Sequence, residues 1–176
     1  MALPQLHLVA SGEALPFDAA SLKAIVMTNV FHHIPDVRAF LHDSARVTRG
    51  GGRMVMIEPW NTAWSRLVYR GLHHEPFEPA ARDWALAAGS GPLSTANGAL
   101  PWIVFERDRA RFDAEFPEWR LASITPLMPL SYILSGGVSL RIQFPPLTYA
   151  FVRAVEDLLP QRLVAMFALI VLERVA

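Results

Sequence analysis

Cysteine is absent from the 176 residues, which removes disulfides, thiolate metal ligands and a cysteine nucleophile together. A reducing cytoplasm is the compartment this composition leads one to expect. Charge of either sign is not in excess either. Lys plus Arg and Asp plus Glu number 16 each, so no overall field draws the chain to nucleic acid, and a small molecule of neutral or mixed charge is the expected partner. Long apolar runs are also missing: Leu163–Leu172 is the longest, half of the ~20 residues a spanning helix needs. No basic segment followed by an apolar stretch opens Met1–Phe17, so no secretory signal is read there. There is no P-loop and no nucleophile elbow, which leaves an unrelated α/β hydrolase or NTPase unmotivated.

What is present is apolar patterning. With 52% apolar and 18% charged residues, residues 1–176 read as one compact α/β domain. His7–Ala10 and Ala24–Phe31 are short apolar segments that read as strands, one ended by Ser11-Gly12 and the other by His32-His33-Ile34-Pro35. Between them, Asp18 or Ser21 suits a turn cap. Asp36 is placed to cap a helix carrying Val37, Phe40, Leu41 and Ala45 at helical spacing, with Gly50-Gly51-Gly52 as its stop. Arg53–Glu58 follows as a strand, and strand, helix, strand at this spacing predicts a parallel βαβ pair.

Downstream, about 60–105 reads as an insertion rich in Pro, Gly, His and Trp, with short helices over Thr62–Tyr69 and Pro79–Ala88. Asp108–Phe116 reads as a helix with Phe112 and Phe116 on one ridge, and Trp119–Ile124 as a strand. Leu147–Leu159 reads as a helix burying Leu147, Phe151, Ala154, Val155 and Leu158, and Leu163–Val171 as a last, central strand.

The block Gly12–Pro59 resembles the second half of a class I S-adenosylmethionine-dependent methyltransferase domain of the type 11 kind. The resemblance lies in an ordered set: LPF after the first strand, HHIPD after the second, a helix ending in Arg46-Val, a Gly-rich turn, and a strand finishing in Glu58-Pro59. It implies a partial Rossmann-like sheet, with strands equivalent to 3, 4, 5, 6 and 7 of the family order 3-2-1-4-5-7-6, flanking helices and an insertion after the strand equivalent to 5. The cofactor would be S-adenosylmethionine, lying across the carboxyl ends of the strands. Ser11, Gly12, Glu13 and Ala14 fall where the family meets the adenine edge, Ser11 replacing the usual Asp. Thr28 and Asn29 fall where it lines the methionine end.

The function implied is methyl transfer to a small-molecule acceptor, with lipid- or glycan-linked acceptors left open. A base is needed only for a hydroxyl or similar acceptor, and histidine suits that task. His33 is the first candidate, followed by His32, His73 and Glu58. The family's acidic Gly-x-Gly-x-Gly turn is missing from the residues given. Gly50–Gly52 follows a helix and leads into a strand, the wrong polarity for a cofactor cradle. Impaired cofactor binding and a cut-short domain are therefore expected. The alternative is a non-catalytic docking module completed by another chain, with the strand Ala24–Phe31 offering an open edge for self- or hetero-association.

No metal is expected from the paired histidines His32-His33 and His73-His74, because adjacent side chains diverge on a helix and oppose each other on a strand. Trp60, Trp64, Tyr69 and Trp102 are candidate pocket walls. The stretch Leu121–Val152, with Arg141 as its only charge, leaves peripheral membrane contact open.

Overall fold

The computed structural model describes residues 9–73, 75–86, 96–128, 130–134 and 145–175. Four strands form one mixed sheet: β1 Leu22–Thr28, β2 Thr48–Pro59, β3 Trp119–Leu127 and β4 Phe167–Arg174, in the order β1-β2-β4-β3. β1 and β2 are parallel, joined through helix α1 Val37–Val47, whereas β4 runs antiparallel to both β2 and β3. This is the 4-5-7-6 portion of the expected order. The fold is α/β and Rossmann-like, with helices flanking the sheet.

Helix α1 forms as its sequence demands. Asp36, in extended conformation, accepts hydrogen bonds from the Arg38 and Ala39 amides at 3.0 and 3.1 Å, satisfying two donors of the first turn. Val37, Phe40, Leu41 and Ala45 are buried, each large side chain contributing about 1.5–3 kcal/mol of burial. The core continues into an aromatic cluster in which Phe31 lies 6.0 Å from Phe40 and 5.1 Å from Phe105, ring centre to ring centre, and Phe112 lies 5.8 Å from Phe116. Phe112 and Phe116 share one buried ridge at the end of helix α4 Arg109–Glu115. Ahead of it, α3 Leu100–Trp102 passes into a π-helical turn, Ile103–Arg107. Helix α2 Ala63–Leu72 starts at Thr62 with a capping box to Ser65, as expected.

Several expectations are corrected. The expected strand His7–Ala10 is not a strand over its described part: Val9 and Ala10 are irregular, and His7 and Leu8 lie outside the described residues. Among the described residues β1 has no neighbour on that side of the sheet and is an edge. Ser11 and Ala14 instead close a tight turn through an Ala14 N–H to Ser11 C=O bond of 3.2 Å. The β1 strand also stops at Thr28, where Asn29 turns into the left-handed region at φ 54°.

Gly50–Gly52 does not stop the helix, which ends at Val47; β2 begins at Thr48 and the glycines lie within it. They absorb a register shift, since Leu22 pairs with Thr48 but Ala24 pairs with Arg53. Gly51 sits at φ 73°, and a Cβ on Gly52 would fall 2.8 Å from the Arg49 carbonyl oxygen and 3.0 Å from that of Lys23. The glycines serve a bulge against the neighbouring strand.

Residues 79–86 form turns and not the expected helix; Ala87 and Ala88 lie outside the described residues. Their backbone groups are spent on tertiary partners: Arg107 donates to the Pro79 and Ala81 carbonyls at 2.8 and 2.7 Å, and the Leu86 amide donates to the Pro35 carbonyl at 2.9 Å.

In helix α6, Pro146–Glu156, Val152 and Glu156 are buried, while Ala154 is exposed and Phe151 is 70% exposed, as is Leu158 beyond its end at 86%; the Leu147 side chain lies outside the described residues. The rotation follows the fully buried Glu156, which accepts the Leu130 and Ser131 amides at the start of the short helix α5 Ser131–Leu134. The last strand begins at Phe167, because residues from Gln161 to Val164 make a helical turn, α7, after Pro160. Among the described residues no helix is long and apolar enough to cross a membrane.

Candidate functional site

Strand alternation sets the first part of the site. Met54, Met56 and Glu58 share the buried face of β2, because side chains two residues apart point the same way. Glu58 thereby arrives, fully buried, beneath the segment that leaves β1. Its Oε1 accepts the Val30 and Phe31 amides at 2.8 and 2.9 Å. These are the unpartnered donors at the start of the 3-10 turn Phe31–His33. Its Oε2 lies 2.6 Å from Nδ1 of His32, which is 2% exposed. Phe31 inserts into the aromatic core and pins the turn.

The loop after α2 brings the third side chain. Glu75 Oε2 stands 3.4 Å from His32 Nε2, and Glu75 Oε1 stands 3.7 Å from His33 Nε2. His73 accepts the Glu75 amide on Nδ1 at 3.1 Å, and its Nδ1 is 3.9 Å from Glu75 Oε2. Asn97 ties this loop to the turn. Its amide donates to the His32 carbonyl at 3.0 Å, and its side-chain oxygen accepts the Glu78 and Ala99 amides at 2.9 and 3.0 Å.

These groups border a cavity of about 220 Å³ lined by Asn29, His32, His33, Pro59, Tyr69, His73, Glu75, Tyr132 and Phe167. It opens at the carboxyl ends of β1 and β2, the crevice in which parallel α/β sheets place ligands. Tyr69 is not a base here: burial raises its phenol well above the ordinary range, and its O–H donates to the Met166 carbonyl at 2.9 Å. A larger hollow of about 490 Å³ between Ala80–Arg82 and Arg107–Arg111 is open to solvent.

All four candidate bases therefore meet at one place: His32, His33, His73 and Glu58. Glu58 is engaged with three donors, which suits it to hold His32 in place. Of the candidate aromatic walls only Tyr69 lines the cavity; Trp60 is core, and Trp64 and Trp102 pack against it. Glu75, Asn97 and Tyr132 were not foreseen as site residues. Only the adjacency of Glu75 to the second histidine pair hinted at one of them.

The residues fit S-adenosylmethionine in part. Asn29 lines the cavity and Thr28 precedes it at the strand end, the positions where the resemblance puts the methionine end of the cofactor. Ser11–Ala14 does not line it. Glu13 Oε1 accepts the Asp36 amide at 2.8 Å, and a side chain on Gly12 would meet Phe40 and Ile34. Among the described residues no Gly-rich turn follows a strand to cradle the nucleoside half of the cofactor.

Residues 2–56 match the family model described as a methyltransferase domain. No curated protein matches the chain. Among solved structures it is similar to a SAM-dependent methyltransferase from Methanosarcina mazei, at 12% identity and a TM-score of 0.50, covering 96% of this chain and 66% of that one. It is similar to the (4+2)-cyclase SpnF at 11% identity and a TM-score of 0.52, covering 95% and 56%. It also resembles geranyl diphosphate C-methyltransferase from Streptomyces coelicolor A3(2), at 16% identity and a TM-score of 0.48, covering 96% and 52%. The chain thus spans roughly half to two thirds of the length of these structures, and the appearance of a cyclase among them illustrates that fold alone does not dictate reaction. With the sheet order and the crevice at the strand ends agreeing, the chain has the class I S-adenosylmethionine-dependent methyltransferase fold, and its residues 2–56 are similar to a methyltransferase domain.

Proposed function

We propose that this chain serves S-adenosylmethionine-dependent transfer of a methyl group to a small-molecule acceptor. In this reading His32 takes the acceptor's proton, and His33 and Glu75 orient the acceptor. The observation that carries it is the Glu58–His32 pair, 2.6 Å apart, facing a cavity at the carboxyl ends of β1 and β2. A carboxylate only accepts, so Nδ1 donates to Glu58, and in this reading Nε2, 3.4 Å from Glu75 Oε2, is the nitrogen that faces the acceptor. The cofactor supplies an already activated methyl group. What remains for the protein is positioning and, for a hydroxyl acceptor, proton removal, worth typically 10²–10⁴-fold.

Weak cofactor affinity belongs to the same proposal, since no Gly-rich turn follows a strand among the described residues: calorimetric titration should show no saturation at micromolar S-adenosylmethionine. The activity itself is tested at millimolar methyl-labelled cofactor with a small-molecule extract as acceptor pool. Label should appear in a small product with the native chain and fall by at least ~10²-fold with His32→Asn. No transfer above background by the native chain overturns the proposal.

A second reading, a docking module that completes its sheet with another chain, is favoured by one observation. Among the described residues β1 is a sheet edge, with Val26 74% exposed, and open edges pair readily. Light scattering on the eluted chain separates the two, since a monomer at all concentrations leaves this reading without support.

A further inference from the structure

We propose that His32, His33 and Glu75 form a binding site for a divalent metal ion of the zinc and cobalt class. Sequence spacing alone argues against chelation by neighbouring histidines, but that expectation holds for a regular strand or helix. Here the two residues end a 3-10 turn, and their rings face each other with centres 4.2 Å apart and planes 39° apart. One nitrogen from each ring and one Glu75 oxygen lie within 4.8 Å of one another. Ligand atoms held at ~2.0–2.1 Å by a tetrahedral ion are themselves about 3.3–3.4 Å apart. The 3.4 Å from His32 Nε2 to Glu75 Oε2 already has that length, while His33 Nε2 stands 3.7 Å from the other oxygen, Oε1, so the carboxylate must rotate for one oxygen to serve both rings or bind through both oxygens.

A second observation points the same way. A metal-binding imidazole usually donates its other N–H to a carboxylate, which fixes the tautomer and raises ligand basicity. Glu58 does this for His32 at 2.6 Å, and Glu58 is itself fixed by two backbone amides. His73 belongs to the support, because its Nδ1 receives the Glu75 amide. Two imidazoles and one carboxylate suit zinc or cobalt better than magnesium or calcium, which favour oxygen. Three protein ligands leave the fourth position turned to the cavity beside Asn29 and Tyr132. There an anionic oxygen of the acceptor would coordinate, and the ion's charge would take over the task of His32. That last point rests on the functional reading above; binding of the ion does not.

The test uses the full chain without a histidine tag, stripped with chelator and titrated with Co²⁺ alone. One equivalent should produce the intense visible absorption of a tetrahedral site, and Zn²⁺ should abolish it by displacement. His33→Ala and Glu75→Gln should each weaken binding at least ~10-fold, and Glu58→Gln by about 10–100-fold through its effect on His32, with circular dichroism confirming folded variants. Absence of a Co²⁺ spectrum with the native chain overturns the proposal, as does equal binding by His33→Ala and Glu75→Gln. A site lost with His73→Ala but retained in those two variants would overturn it as well. If Co²⁺ binds as described while no methyl group is transferred, the metal site stands and the methyl-transfer reading falls.

Discussion

Glu58 and His32, 26 positions apart in sequence, meet through a 2.6 Å hydrogen bond with both side chains almost entirely removed from solvent. The same carboxylate also holds the Val30 and Phe31 amides. One residue at the end of β2 thus sets the conformation of the turn leaving β1 and the tautomer of its histidine. Glu58→Gln keeps an oxygen for the amides but presents an N–H₂ group to Nδ1, so the proton should move to Nε2. Ring ¹⁵N spectra should show His32 protonated on Nδ1 in the native chain and on Nε2 in the variant. An unchanged tautomer would refute the assignment. Glu58→Ala, which strands two amides and the ring, should cost about 3–5 kcal/mol in denaturant unfolding.

The triple glycine makes a separate prediction. A Cβ on Gly52 would approach two backbone oxygens at 2.8 and 3.0 Å, and backbone yields less readily than a flexible side chain. Gly52→Ala should therefore destabilise by about 1–3 kcal/mol. Gly51→Ala, with open space around it but φ 73°, should lose about 1–2 kcal/mol from strain alone. Denaturant midpoints of the two variants check both values, and a neutral Gly52→Ala would contradict the close register of β1 and β2.

Trp84 is fully buried, and its Nε1 donates to Asp108 Oδ2 at 2.9 Å. Asp108→Ala leaves that donor without an acceptor, at a cost of about 1–3 kcal/mol. Asp108→Asn retains an oxygen and should recover most of the loss. Unfolding midpoints of the pair decide, and equal loss in both variants would assign the effect to Arg107 instead.

Acid should weaken the fold in a defined window. Hydrogen bonds from Arg46, Arg107 and Arg111 hold Asp43, Asp108 and Glu115 respectively below the usual carboxylate range, and the Trp84 amide does the same for Asp83. Because the folded values are depressed, their stabilisation is complete above the unfolded range, about 3.9–4.3. It is lost as pH falls through the lower folded values. Urea midpoints should be level from pH 7 to 5 and decline below pH 4. These pairs lie near the surface, so 1 M salt should shrink the decline. A midpoint that falls between pH 7 and 5 would assign acid sensitivity to other groups.

Edge pairing is tested at Val26. If β1 associates through its open side, Val26→Lys should shift light-scattering masses toward the monomer, since a charge on an edge strand opposes pairing. Masses identical to the native chain would remove association through that edge.

Local pattern determined much of this protein. Asp36 before Val37, Phe40, Leu41 and Ala45 specifies α1, and the apolar runs on either side of it specify β1 and β2, because capping and periodicity act within a few residues. His32-His33 and Glu58 marked the site for the same reason: they lie just after, or at, the ends of strands whose apolar runs are legible. Only tertiary structure decided the rest. Residues 79–86 have helical composition, yet Arg107, Pro35 and Asp108 claim their polar groups. The buried side of α6 follows Glu156 reaching the amides of α5. Most of all, Glu75 faces both His32 and His33 because a 3-10 turn and a loop from a different part of the chain converge, and convergence across 43 and 42 positions leaves no periodic trace in sequence.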